Sequence, residues 1–228
     1  MAEPSAEPST ASSADAGGGL ADERVDLPLI ASERVFDGRI WHVRRDTVEY
    51  GGEHLVREYV DHPGAVAVVA LDDDDRLFLI RQYRHPVRTR EWEIPAGLLD
   101  VDGEDPLATA KRELAEEGDL VASEWAVLVD VFTSPGGSDE AIRIYLARGL
   151  REAEETFERE AEEADMETRW ADLDTCVDAV LARRVQNSSL VYGTLAAFAA
   201  RARGWQGLGP ADAPWPGRST PRGEPTRT

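Results

Sequence analysis

The order of strand-like and helix-like segments restricts the folds open to this chain. The first part reads as β-structure, and a helical segment follows at 105–117. Two strand-like segments come next, "WAVLVDVFT" and "AIRIYLA", and helical segments at about 172–184 and 188–203 close the pattern. Strands interrupted by one helix and followed by two more indicate a mixed sheet flanked by helices, which is an α/β fold.

Residues 25–61 predict a small antiparallel β meander ahead of the main domain. The pattern alternates from Leu29 to Val60, with turn signals at Asp37-Gly38 and Gly51-Gly52. Asp-Gly favours a type I′ hairpin, and a pair of glycines permits positive φ in a second turn. The main domain, 62–205, is then expected to begin with the strands "GAVAVVAL" and "RLFLIRQY".

The two ends of the chain differ from the rest in composition. Residues 1–24 are rich in Ala, Ser, Pro, Gly and Glu, and residues 206–228 are rich in Pro and Gly. Such segments bury too little apolar area to offset their chain entropy. We therefore expect both tails to be disordered.

Charge and cysteine content narrow the classes of partner. With 25 basic and 45 acidic residues, the formal net charge is −20, which repels nucleic-acid backbones and anionic lipid. Cys176 is the sole cysteine, so an internal disulfide and a thiolate zinc site are excluded. The sequence has no signal-peptide pattern and no apolar run long enough to cross a bilayer. These features predict a cytoplasmic protein that binds neither nucleic acid nor membrane.

The helical segment at 105–117 gathers carboxylates on one side. Asp105 is the expected N-cap and Pro106 the first helical residue. At ~100° per residue, Glu113, Glu116 and Glu117 share one arc of about 100°. The apolar stripe beside this arc comprises Leu107, Ala110 and Leu114. Like charges at these spacings destabilise a helix unless a cation intervenes, and oxygen ligands suit Mg²⁺ or Mn²⁺. The spacing alone allows either a solvated acidic face or a metal site.

The residues around the helix resemble the Nudix box, whose pattern runs from a glycine through a glutamate to the core R-E-U-x-E-E-x-G-U, with U apolar. The matching positions here are Gly97, Glu104, Arg112, Glu113, Leu114, Glu116, Glu117 and Leu120. Two departures stand out: six residues instead of five separate Gly97 from Glu104, and Gly118-Asp119 replaces x-Gly. We expect Gly118 to take the left-handed C-cap one residue early.

The resemblance implies a Nudix-type α/β/α sandwich with a mixed sheet behind the meander. It also implies a Mg²⁺ site, with Mn²⁺ as a possible substitute, and a catalytic role for Glu116. The implied metal ligands are the main-chain carbonyl of Ala96 and the carboxylates of Glu113, Glu116 and Glu117. Gly97 leaves room for that carbonyl, and Glu104 and Arg112 are expected to form a structural ion pair.

Two loops outside the box are similar to those of ADP-ribose pyrophosphatases. Pro135 lies fifteen residues beyond Leu120, in "SPGG", and with Gly136 is a candidate substrate contact, although a Pro-Gly-Gly turn is ordinary between strands. The acidic run "EEADM" matches the loop that supplies the general base in those enzymes. Glu162 is the favoured base, with Glu163 as the alternative.

The remaining candidate substrate contacts lie upstream of the box. Arg84, in "RQYR", is expected to contact phosphate or ribose, because arginine pairs with phosphate in a two-pronged geometry. Arg57 and Glu58 match positions that contact the adenosine end in similar enzymes. Trp41 could stack on adenine or lie buried in its hairpin. In those enzymes the meander exchanges with a second subunit, which implies a homodimer.

The reaction implied by the resemblance is metal-dependent hydrolysis of ADP-ribose to AMP and ribose 5-phosphate. One alternative is a Nudix hydrolase of another nucleoside diphosphate derivative, such as GDP-mannose or NADH. A second is a Nudix protein that senses a nucleotide without cleaving it.

Overall fold

The computed structural model describes residues 20–101, 103–154 and 166–218, and these residues form eleven strands and three helices. The strands are β1 Leu29–Asp37, β2 His42–Tyr50, β3 Glu53–Asp61, β4 Ala65–Ala70, β5 Arg76–Arg84, β6 Thr89–Glu93, β7 Ala96–Leu98, β8 Leu120–Phe132, β9 Ala141–Glu152, β10 Glu167–Asp172 and β11 Gly209–Pro210. The helices are α1 Pro106–Gly118, α2 Leu173–Leu181 and α3 Ser188–Ala202.

Two sheets form the main domain. The larger has the order β11-β8-β9-β4-β7, with β4 parallel to β9 and its other neighbouring strands antiparallel. The smaller has the order β10-β5-β6 and is antiparallel. A parallel pair within an otherwise antiparallel sheet makes the sheet mixed, as the sequence predicts.

Strand β4 separates two hydrophobic cores. Ala65, Ala67 and Val69 contribute to a core that includes residues of α2 and α3. The intervening residues, such as Val66 and Val68, contribute to a second core that includes residues of α1. Because successive side chains of a strand point to opposite faces, the sheet lies between helices on both sides. The predicted α/β/α sandwich is confirmed.

The N-terminal sheet has the order β1-β2-β3, as expected for a meander. The β2–β3 turn consists of Gly51 and Gly52, with φ of 61° and 83°, which matches the positive-φ turn predicted there. The type I′ hairpin predicted at Asp37-Gly38 is wrong. Residues 38–41 connect β1 to β2, and Gly38 does not adopt positive φ.

Charged groups form the interior of the meander. Arg44 and Asp46 are its buried residues, and the Arg44 guanidinium bonds Asp61 at 2.9 and 2.8 Å. Ser32 links the two charges, donating to Asp46 and accepting from Arg44. Large apolar side chains of the meander are instead exposed: Leu29, Ile30, Val35, Phe36, Ile40, Trp41, Tyr50 and Val56.

The C-terminal segment departs from the disorder expected for 206–228. Residues 206–218 are described, and β11 pairs with β8. The buried Arg143 binds Asp130 through two hydrogen bonds, donates to the carbonyl of Ala213 and stacks on Trp215 at 4.8 Å. These specific contacts hold a segment whose composition predicts disorder.

No helix within the described ranges is long and apolar enough to cross a membrane.

Candidate active site

Helix α1 starts and stops for local reasons. The Asp105 side chain accepts a hydrogen bond from the Leu107 N–H at 2.9 Å, and Pro106 opens the helix. At its C-terminus Asp119 has φ of 51°, and its N–H bonds back into the last turn. The expectation that Gly118 takes the left-handed position is therefore wrong. Asp119 does so, at the position where the box pattern has its glycine, because Asp tolerates this conformation better than most residues.

Two carboxylates of α1 meet strand β7 at Ala96 and Gly97. The buried Glu117 carboxylate accepts a hydrogen bond from the Ala96 N–H at 2.9 Å. A Cβ on Gly97 would overlap the Glu113 carboxylate, so only glycine allows this approach. Strand β7 and helix α1 thus position each other.

The Arg112 guanidinium lies among three carboxylates. It bonds Glu104 through two hydrogen bonds of 3.1 Å, Glu113 at 2.7 Å and Glu116 at 2.9 Å. The hydrogen bonds that Arg112 donates to Glu104 are the chief cause that raises the pKa of Arg112, although burial opposes it. The same hydrogen bonds, with one from Thr109, lower the pKa of the Glu104 carboxyl. Both groups are therefore charged near neutral pH. Their pairing ties the connection between β7 and α1, which contains Glu104, to the helix.

The donor set suits a divalent cation by its chemistry. Glu113 and Glu116 accept from one guanidinium, so a positive group already lies between them. Carboxylate oxygens are the ligands that Mg²⁺ and Mn²⁺ prefer. Across the described ranges, however, no group of three or more acidic, His or Cys side chains is arranged as a ready metal site.

A cleft of about 310 Å³ opens beside these carboxylates. It is lined by Gln82, Arg84, Ala96, Gly97, Leu98, Asp100, Val101, Arg112, Glu113 and Glu117. Arg84 thus lies in one cleft with two carboxylates of α1, although it belongs to β5. The sequence places Arg84 before the box but does not reveal how it is held.

Sequence reasoning missed Glu93, which holds Arg84 in place. The Glu93 carboxylate is buried and accepts hydrogen bonds from two nitrogens of Arg84, at 2.8 and 2.7 Å. Gln82 donates to the same carboxylate at 3.5 Å. The sequence offers one signal for this role: Glu93 stands next to the apolar Ile94. A carboxylate buried beside apolar residues needs a cation or a hydrogen-bond donor as partner.

The candidates on the meander lie apart from the cleft. Arg57 donates only locally, to the Val56 carbonyl, and Glu58 is bound by Arg45 at 2.8 and 2.6 Å. Trp41 is 42% exposed, so the alternative of a tryptophan buried in the hairpin is wrong. None of the three lines the cleft of the same chain.

The loop that carries Pro135 and Gly136 docks on the end of β3. The Val60 N–H donates to the Gly137 carbonyl at 2.9 Å, and the Asp139 N–H donates to the Val60 carbonyl. The His62 N–H donates to the Asp139 carboxylate at 2.9 Å. The loop therefore fixes where the meander leaves the main domain. Pro135 and Gly136 are exposed and do not line the cleft.

The two candidates for the general base, Glu162 and Glu163, lie outside the described residues. Their segment connects β9 to β10, and β10 pairs with β5, the strand of Gln82 and Arg84.

Comparison with known proteins places the chain in a family. Residues 61–189 match the NUDIX domain. An ADP-ribose pyrophosphatase of Mycobacterium tuberculosis is 46% identical over 196 residues, which cover 86% of this chain and 94% of the relative. An ADP-ribose pyrophosphatase of Bacillus subtilis is 36% identical over 164 residues, 72% and 88% of the two chains.

A solved structure, the crystal structure of an ADP compounds hydrolase, has a similar fold. Its TM-score is 0.66 at 21% identity, covering 81% of this chain and 99% of the other. Nudix hydrolases generally need divalent metal ions, which agrees with the donor chemistry of α1. With a domain match over more than half its length and relatives this similar, the chain belongs to the Nudix family.

Proposed function

We propose that this protein hydrolyses the pyrophosphate bond of ADP-ribose, giving AMP and ribose 5-phosphate, and that it uses Mg²⁺. One observation carries the proposal: the Glu113 and Glu117 carboxylates contact β7 at Ala96 and Gly97. They do so in a cleft that Arg84 also lines. The names of the relatives from M. tuberculosis and B. subtilis supply the substrate.

The roles follow from the groups present. Glu113, Glu116, Glu117 and the Ala96 carbonyl would hold the metal. Bound Mg²⁺ would neutralise pyrophosphate charge and activate water. Arg84 supplies a guanidinium that Glu93 keeps oriented, which suits it to bind a phosphate oxygen. Glu162, or Glu163, would accept the proton of the attacking water.

The adenosine end requires a surface that the cleft of one chain does not provide. Arg57, Glu58 and Trp41 lie on the meander, outside that cleft. We propose a homodimer in which the meander of one subunit completes the site of the other. The exposed apolar side chains of the meander support this, because a small sheet with a charged interior and apolar residues outside needs another surface to cover them.

Steady-state hydrolysis tests the substrate directly. The panel is ADP-ribose, GDP-mannose, NADH and 8-oxo-dGTP with Mg²⁺, and the products are identified by chromatography. We expect ADP-ribose to have the highest kcat/KM and to yield AMP and ribose 5-phosphate in equal amounts. Much faster cleavage of another compound would refute the assignment. Tight ADP-ribose binding with no hydrolysis of any compound would identify a sensor instead.

A further inference from the structure

A second cavity lies across the small sheet from the catalytic cleft. Its volume is about 270 Å³, and it lies between β5, β6 and β10 on one side and α2 and α3 on the other. Trp92 of β6 lines this cavity, whereas the next residue, Glu93, holds Arg84 of the cleft. Because neighbouring side chains of a strand point to opposite faces, the two spaces are separate.

The inner wall of the cavity is apolar and uncharged. Leu79, Cys176 and Leu190 line it and belong to the buried core beneath α2 and α3. Burial is the main cause that raises the pKa of the Cys176 thiol, to about 11. The thiol is therefore neutral at physiological pH and adds no charge to the wall. An occupant would meet hydrocarbon, a neutral sulfur and the face or edge of an indole.

Two guanidinium groups contribute to the same cavity. Arg169 of β10 and Arg184, just after α2, are both among its lining residues, and none of the described Asp or Glu residues is. Neither guanidinium makes a hydrogen bond or ion pair with a residue in the described part of the chain. Within the described ranges, the lining thus carries two positive charges and no negative one, in a chain of net charge −20.

Two acids on the surrounding elements pair with other cations. Glu167, on the same strand as Arg169, pairs with Arg81 at 3.5 Å. Asp174, on α2, pairs with Arg201 at 2.6 Å. Neither pair involves Arg169 or Arg184.

We propose that this cavity is a second ligand site, and that it takes a small aromatic carboxylate. Ligand pockets usually measure about 300–1,000 Å³, so this one lies just below that range and suits a single ring better than a nucleotide. The ring would pack against Trp92 and Leu190, and the carboxylate would pair with Arg169 and Arg184. Guanidinium groups bind carboxylates through paired hydrogen bonds, which gives the site its selectivity for an anion.

Benzoate is the probe for this site, with benzamide as its uncharged counterpart. Isothermal titration of the full-length protein should give saturable binding of one benzoate per chain. Benzamide should bind about tenfold more weakly, because it lacks the charge that the arginines recognise. Saturating AMP should leave benzoate binding unchanged, since AMP is expected in the other cleft.

Matched variants locate the site. Arg169→Gln and Arg184→Gln should each weaken benzoate binding about tenfold. Arg183→Gln removes the same charge one residue away from the cavity lining and should leave affinity unchanged. Ala179→Leu narrows the cavity without altering its charge and should also weaken binding. Thermal unfolding of each variant checks that it is folded.

Three results would overturn the proposal. They are equal affinity for benzoate and benzamide, full benzoate affinity in the Arg169→Gln/Arg184→Gln double variant, and displacement of benzoate by AMP. The last result would assign the binding to the catalytic cleft.

Discussion

The catalytic cleft and the N-terminal meander are built in opposite ways. In the cleft, charged side chains are held by neighbours of the same chain: Arg112 by three carboxylates and Arg84 by the buried Glu93. In the meander, the buried residues are the charged Arg44 and Asp46, while its large apolar side chains are exposed.

In the proposed dimer, this difference separates the part of the active site that one chain builds alone from the part that needs a second chain. The proposed metal and phosphate side of the site lies within a single subunit. Glu117 of α1 accepts from Ala96, Arg112 of α1 binds Glu104, and Arg84 of β5 lines the same cleft. The adenosine side is proposed to depend on meander residues of the second subunit. Hence changes in the cleft should act on chemistry, and changes in the meander on substrate binding.

The largest effect is expected from Glu117→Gln. The amide oxygen can still accept the hydrogen bond from Ala96, so the fold should be retained while the proposed metal ligand loses its charge. Loss of several kcal/mol of charge stabilisation corresponds to a fall in kcat of about 10²–10³-fold. The measurement is ADP-ribose hydrolysis with saturating Mg²⁺. Glu124→Gln, on the exposed side of β8, is the control and should be fully active. A Glu117→Gln variant with normal kcat would remove α1 from the chemistry.

The Arg84–Glu93 pair tests whether contacts within one chain hold the cleft together. Arg84→Gln leaves the carboxylate of Glu93, whose side chain is 3% exposed, without its guanidinium. Breaking a fully buried pair costs about 3–5 kcal/mol, and we expect about 2 kcal/mol here because the Arg84 side chain is 41% exposed. Urea unfolding measures the change. The double variant Arg84→Gln/Glu93→Gln should recover much of it, and strictly additive losses would contradict the pairing.

Arg57→Ala tests the other side of the comparison. Arg57 makes no ion pair within the described part of the chain, so its loss should leave stability nearly unchanged. If it binds substrate, KM should rise about tenfold with kcat little altered, the result of losing a hydrogen bond to a charged group. Arg39→Ala, in the β1–β2 connection, is the control. An unchanged KM would exclude Arg57 from the site.

The smallest effect concerns pH and the Glu104–Arg112 pair. The pKa of Glu104 is lowered in the folded state from an ordinary value of 4.5. Its stabilising contribution is therefore present above pH 4.5 and is lost as the pH falls through the lower, folded-state pKa. Glu104→Gln should be less stable than wild type at neutral pH, and the gap should narrow below pH 4.5. Thermal unfolding across this range measures the gap, and a constant gap would contradict the account.

Much of the fold follows from local sequence rules. Asp105 and Pro106 set the start of α1, Asn187 caps α3, and the Gly51-Gly52 pair sets a turn, because each depends on neighbouring residues alone. Long-range contacts explain where the fold departs from the prediction. The C-terminal segment is held by Arg143 and Trp215, which lie 72 residues apart in the sequence.

The site divides in the same manner. The spacing of Glu113, Glu116 and Glu117 is visible in the sequence because they share a helix face. Glu93 was missed because its role depends on pairing between β5 and β6, which brings it to Arg84. The left-handed residue at the end of α1 is Asp119 instead of the predicted Gly118. Composition does not determine the residue at which the helix ends.

Subunit complementation tests the central claim most directly, namely that the cleft of one chain is completed by the meander of another. Glu117→Gln and Arg57→Ala chains are unfolded together, refolded as a mixture and assayed with ADP-ribose well below KM. Random pairing makes half the dimers mixed, and each mixed dimer has one intact site of two, so activity should reach about a quarter of wild type. Activity equal to the mean of the two separate variants would contradict the shared site and place Arg57 in the cleft of its own chain.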